Sequence, residues 1–184
     1  MIIISGTNRP GANTKKVAER VLALSKKNIE EKKLSFSVKL LDLANLKPDI
    51  FDTSSYGQKP QWFLDEFQKP ITEAKGILVV SPEYNGGFPG VLKYFIDMLK
   101  FPESLNNIPI AFIGVAAGQF GALRPVVQLE MLFNYRNAHI FGKRVFIPQI
   151  GDAIQADGTL GAYESRVSEQ VDGFVTFVSK LSVG

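Results

Sequence analysis

Residues 79–99, "VVSPEYNGGFPGVLKYFIDML", hold the passage that decides the fold. An apolar run closes on Val79, Val80 and Ser81, and Pro82, Glu83, Tyr84, Asn85, Gly86 and Gly87 follow it. A helical pattern then opens, with Phe88, Val91, Leu92, Phe95, Ile96 and Leu99 at i, i+3, i+4, i+7, i+8 and i+11. That spacing puts them on one face of an α-helix. The preceding run "GILVVS" (76–81) is short and continuously apolar, as in a strand covered on both faces. A plain connection between strand and helix needs one turn residue and one cap. An acid, an amide and paired glycines exceed that need and predict a ligand-binding loop.

The strand–helix unit repeats in both directions. Met1–Ser5 predicts a buried strand, and Asn13 to about Lys33 a helix burying Val17, Val21 and Leu24. Residues 35–43 alternate Phe36, Val38 and Leu40 as a strand does. Pro60 opens a helical segment with Trp62, Phe63 and Phe67 on one side, and Pro70 is expected to break or restart it. Residues 108–116 predict a strand, Ala122–Tyr135 a helix, 139–147 a strand interrupted by glycine, and about 159–182 a closing helix. The alternation predicts one α/β domain over 1–184, a parallel sheet with helices on both faces. The 44–60 connection is long for such a unit and predicts a functional surface loop.

Composition narrows the function classes. Lys and Arg total 21 against 18 for Asp and Glu, a net charge of +3 that is too small and scattered for nucleic-acid binding. The densest basic stretch, "KKNIEEKK" (26–33), carries two glutamates and fits a solvated helix end. There is no cysteine, which excludes a disulfide framework, a thiolate metal site and a cysteine nucleophile. "MIIISG" lacks the basic region of a signal peptide, and no apolar run approaches the ~20 residues that span a bilayer, so a cytoplasmic protein without a membrane partner is expected.

In an open parallel sheet, ligands collect beyond the carboxyl ends of the strands. Three such ends carry unusual loops. The first, "SGTNRPGANTKK" (5–16), joins a strand to a helix start and offers Thr7, Arg9, Asn13 and Thr14. Free N–H groups at a helix start, with hydroxyl, amide and arginine donors, suit a phosphate. A well-capped turn is the plainer alternative, with Asn13 or Thr14 as the cap. The loop lacks both G-x-x-x-x-G-K-[ST] and G-x-G-x-x-G, which disfavours nucleoside triphosphates and dinucleotides and leaves a single phosphomonoester. The second loop is the opening stretch. The third, "VAAGQFGALRP" (115–125), holds Gly118, Gln119, Phe120 and Gly121, where glycine would let the backbone approach a flat ligand.

Together "SGTNRPGANTKKVA" and "SPEYNGGFPGVLKYFID" resemble the NADPH-dependent FMN reductase family, flavodoxin-like flavoproteins that include quinone, azo-dye and chromate reductases. The resemblance runs over nearly the whole chain, and the second motif is the more specific. It implies a flavodoxin-like three-layer sandwich with a five-stranded parallel sheet in the order 2-1-3-4-5. It also implies a non-covalent FMN, with Thr7, Arg9, Asn13 and Thr14 at the phosphate. The ring would lie between Pro82, Glu83, Tyr84, Asn85 and Gly86 on one side and Gly118, Gln119 and Phe120 on the other. Two departures stand out: Ala12 replaces a common serine, removing a phosphate contact, and Tyr94-Phe95 replace an asparagine-alanine pair. Family members are dimers or tetramers with the flavin near a subunit interface, so a homodimer or homotetramer is implied.

The implied reaction is ping-pong hydride transfer from NADPH or NADH through FMN to a small acceptor, be it free flavin, a quinone, an azo compound or a metal oxyanion. Such chemistry resides in the cofactor and requires no catalytic acid, base or nucleophile from the chain. His139, Glu83 and Asp97 are accordingly assigned structural roles, and Trp62 and Phe67 core positions. Two competitors are a flavodoxin-like one-electron carrier and a binding module without redox chemistry. Carriers are usually strongly acidic, which a charge of +3 opposes.

Overall fold

A computed structural model describes residues 1–182. Strands β1 (Ile2–Ser5), β2 (Lys39–Asp42), β3 (Ile77–Pro82), β4 (Pro109–Val115), β5 (His139–Ile140) and β6 (Val145–Ile147) form one parallel sheet. Its order is β2-β1-β3-β4-β5, with β6 also paired to β4. This is the flavodoxin-like order that the family resemblance implies.

Alternation along the strands builds two cores. Ile2 and Ile4 of β1, with Ile77, Val79 and Phe112, pack under α4 (Gly90–Met98), α5 (Leu123–Tyr135) and the 61–72 segment. Ile3, Leu78, Val80 and Ile113 face α1 (Asn13–Glu31) and α7 (Glu164–Leu181) on the other side. The period-two pleat thus buries both faces of every central strand.

Several elements differ from expectation. The strand expected over 139–147 is two strands, with Gly142–Arg144 leaving the ladder between them. The buried Gln170 of α7 fills that gap, its Nε2 donating to the carbonyls of Phe112 and Lys143, both at 2.8 Å. Pro70, expected to break or restart the helix, stands in the first turn of a new α segment without interrupting the helical path over 61–72: α2 (Gln61–Phe63) passes through a π turn (Leu64–Gln68) into α3 (Lys69–Thr72). Proline removes one N–H and its ring crowds the carbonyl four residues back, and the wider π turn absorbs both effects. Here Phe63 and Phe67 are buried with rings stacked at 5.8 Å, whereas Trp62 is half-buried and donates from Nε1 to Asp49.

The 35–43 strand is shorter than predicted, since its ladder begins only at Ile2↔Lys39. The 44–60 connection is three short 3-10 turns, closed by buried Ile50 and by the Tyr94 hydroxyl donating to the Ile50 carbonyl. The closing helix begins at Glu164 after a 3-10 turn, and a further short helix, α6 (Ile150–Ala153), follows β6.

Candidate functional site

A cavity of about 310 Å³ opens at the carboxyl ends of β1, β3 and β4. Arg9, Asn13 and Thr14 line it from the first loop, Pro82, Glu83 and Tyr84 from the second, and Val115 to Ala117 from the third. Three connections separated in sequence therefore converge on one space, because parallel strands all deliver their carboxyl ends to the same edge.

The first loop turns at Gly11, whose φ of +66° is left-handed. The helix cap is neither Asn13 nor Thr14, as the sequence suggests, but Ala12, which is extended and has no side chain to cap with. The 19-residue α1 has no acid in its first turn either. Its first N–H groups consequently lack a side-chain acceptor where Ala12, Asn13 and Thr14 border the cavity, an electropositive arrangement. Thr7 is placed differently from expectation. It is 1% exposed, and its hydroxyl accepts the Arg9 N–H (3.2 Å) and shares a hydrogen bond with the Tyr84 hydroxyl (2.9 Å). It ties the first loop to the second from behind the cavity wall.

The second loop is a β-turn of the hairpin kind. Tyr84 and Gly87 exchange two backbone hydrogen bonds of 2.9 and 3.0 Å, and Asn85 and Gly86 between them have φ of 52° and 78°. Positive φ at both central residues is the type I′ pattern, which Asn-Gly fits best. The sequence reading takes these two residues as ligand contacts; the structure gives them a conformational role and sets them outside the cavity lining. Glu83 faces the cavity, and its Oε1 accepts from Arg124 Nη1 of α5 at 2.8 Å.

In the third loop Gly118, Gln119 and Phe120 are exposed and lie outside the lining. Gly118 has no protein atom near the place where a side chain would stand, so no packing within the chain requires a glycine there. In β4 and the loop after it, the glycines under steric demand are Gly114, where a Cβ would meet the Gly121 carbonyl, and Gly121, left-handed and packed on the β6 backbone. Phe120 lies beneath the Arg124 guanidinium, 4.9 Å from its centre. Ile150, hydrogen-bonded through its N–H to Ala116 O at 3.0 Å, lines the cavity without having been singled out in the sequence, and Arg124 stands outside the lining and meets it through Glu83. His139 pairs with Pro109 at the opposite end of β4, and Asp97 is exposed and bound to Lys93 at 2.7 Å, so neither reaches the cavity.

A parallel sheet in this order, with helices on both faces and an electropositive helix start at its carboxyl edge, places the chain among flavodoxin-like α/β proteins. The profile of the NADPH-dependent FMN reductase family matches residues 1–152, from before β1 into α6, and the chain belongs to that family. Membership makes it an oxidoreductase that works with FMN and NAD(P)H. Among relatives, it is 26% identical over 183 residues to an NAD(P)H-dependent FMN reductase of Pseudomonas aeruginosa, covering 97% of this chain and 94% of that one. It is 27% identical over 156 residues to a quinone reductase of Escherichia coli, covering 76% and 80%. A flavoenzyme NAD(P)H:acceptor oxidoreductase of Paracoccus denitrificans shares the fold at a TM-score of 0.75 and 19% identity, covering 97% and 96%. Of the described residues, no helix is long and apolar enough to cross a membrane.

Proposed function

We propose that this cavity is the FMN site, with the phosphate at the start of α1 and the ring at its outer end against the second and third loops. The uncapped α1 N-terminus carries the reading, because a helix start without its own acceptor is stabilised by a bound phosphate. Arg9, Asn13 and Thr14 supply further donors there, and Thr7 fixes the loop through Tyr84. Pro82, Glu83, Tyr84, Asn85 and Gly86 would border the ring on one side and Gly118, Gln119 and Phe120 on the other. When bound, FMN supplies the acceptance of hydride from a reduced nicotinamide and its delivery to a second substrate. The chain's part is to orient the ring, to leave one face open for nicotinamide and acceptor in turn, and to offer backbone N–H groups toward developing negative charge.

A small acceptor of the quinone type suits this site, as does the reductase chemistry of the relatives; the +3 charge remains unlike that of an acidic one-electron carrier. The protein is further proposed to act in the cytoplasm as a homo-oligomer. Leu123, Val127, Met131 and Tyr135 recur every four residues along α5 and are 42%, 41%, 70% and 78% exposed. This stripe starts beside Phe120, so a second copy seated on it would lie next to the flavin site.

Titration of apoprotein with FMN and with riboflavin tests the phosphate assignment through flavin fluorescence. Riboflavin should bind at least about a hundredfold more weakly, and Arg9→Ala should weaken FMN by about tenfold, as expected on losing charge-assisted hydrogen bonds. Equal affinity for the two flavins would refute the phosphate site.

A further inference from the structure

Arg124 stands at the second position of α5 and touches both loops proposed to flank the ring. Its Nη1 donates to Glu83 of the loop after β3 at 2.8 Å, and its guanidinium covers Phe120 of the loop after β4 at 4.9 Å. The Glu83 side chain is only 15% exposed and lines the cavity, whereas that of Arg124 is 54% exposed. Arg124 is the cation that pairs with Glu83 among the described residues. The acid is thus held close to the proposed ligand, and its charge is answered from outside.

We infer that Arg124 is a positioning residue of the flavin site: it neutralises the Glu83 carboxylate on the cavity wall and holds the two flanking loops at a fixed separation. The inference rests on the proposed FMN site. Two-electron reduction of a flavin places negative charge on the ring, and an unanswered carboxylate on the same wall would oppose it. An ordinary exposed ion pair contributes little. This one differs because the acid is largely shielded from water and the base is clamped on an aromatic face.

The test uses the full-length protein saturated with FMN, as wild type and as Arg124→Gln, Arg124→Lys, Glu83→Gln and the double variant Glu83→Gln/Arg124→Gln. Each is equilibrated anaerobically with a reference dye at one fixed potential, and the ratio of reduced to oxidised bound FMN is read. Arg124→Gln should lower the ratio about tenfold, as expected for one unscreened charge nearby. Arg124→Lys should keep most of the wild-type ratio, and the double variant should return to within about twofold of it. An unshifted ratio in Arg124→Gln overturns the inference, as does a double variant as depressed as the single one, since the effect would then not pass through Glu83. Failure of the wild type to bind FMN would overturn the cavity assignment and this inference with it. Wild-type binding with an unshifted variant overturns the inference alone.

Discussion

Ala12 occupies the N-cap of α1, where a serine, threonine, aspartate or asparagine would accept an N–H of the first turn. The N–H groups it leaves uncapped are those the proposed phosphate would satisfy, so stability without ligand and affinity for phosphate are linked at this position. Ala12→Ser should raise the unfolding free energy of the apoprotein by about 1 kcal/mol in urea denaturation. No gain would mean that the first turn is already satisfied. That Arg9, Asn13 and Thr14 border one cavity was legible, because donors clustered between a strand and a helix start lie at the carboxyl edge of a parallel sheet. Asn85 and Gly86 have a second reason to stand where they do: Asn-Gly is the signature of a type I′ turn, and both carry its positive φ. Arg124 was illegible, since nothing in "GALRP" reveals that a glutamate 41 positions earlier comes within 2.8 Å.

The elements on the far face are pinned where Arg20 of α1 meets Glu164, the first residue of α7. The Glu164 carboxylate accepts from Arg20 Nε at 2.9 Å and from the Leu160 N–H at 2.9 Å. Burial works against its ionised form, but the Arg20 hydrogen bond and the Leu160 N–H outweigh burial and lower its pKa below the usual glutamate value. A pKa lower in the folded state than in the unfolded one stabilises the fold above the unfolded value, and that contribution disappears as pH falls through the folded value. Glu164→Gln should therefore cost about 1 kcal/mol at neutral pH, with the gap to wild type closing as pH falls below the usual glutamate range in urea denaturation. A gap independent of pH would assign the cost to packing instead. The β3–α4 unit was legible because its periodicity is local. The split of the last strand was not, because the residue that satisfies the gap, Gln170, arrives from α7. Nor was the passage through Pro70, which depends on a π turn that no residue type announces.

For the whole molecule, the layer order brings three loops to one edge and leaves the α5 stripe uncovered. Apolar side chains so exposed at helical spacing fit burial against a second copy. Met131→Glu at the middle of the stripe should shift the protein from oligomer to monomer in analytical ultracentrifugation with its circular dichroism unchanged. A wild type that is already monomeric would remove the stripe from the account. On the proposed function, this cavity holds an FMN that NAD(P)H reduces. Purified protein loaded with FMN, freed of excess flavin and mixed anaerobically with NADPH or NADH tests it directly. The protein should be yellow, and its visible flavin absorbance should bleach rapidly with at least one of the two and return on adding a quinone. A protein that stays colourless after FMN addition, or whose bound flavin neither nucleotide bleaches, would contradict it.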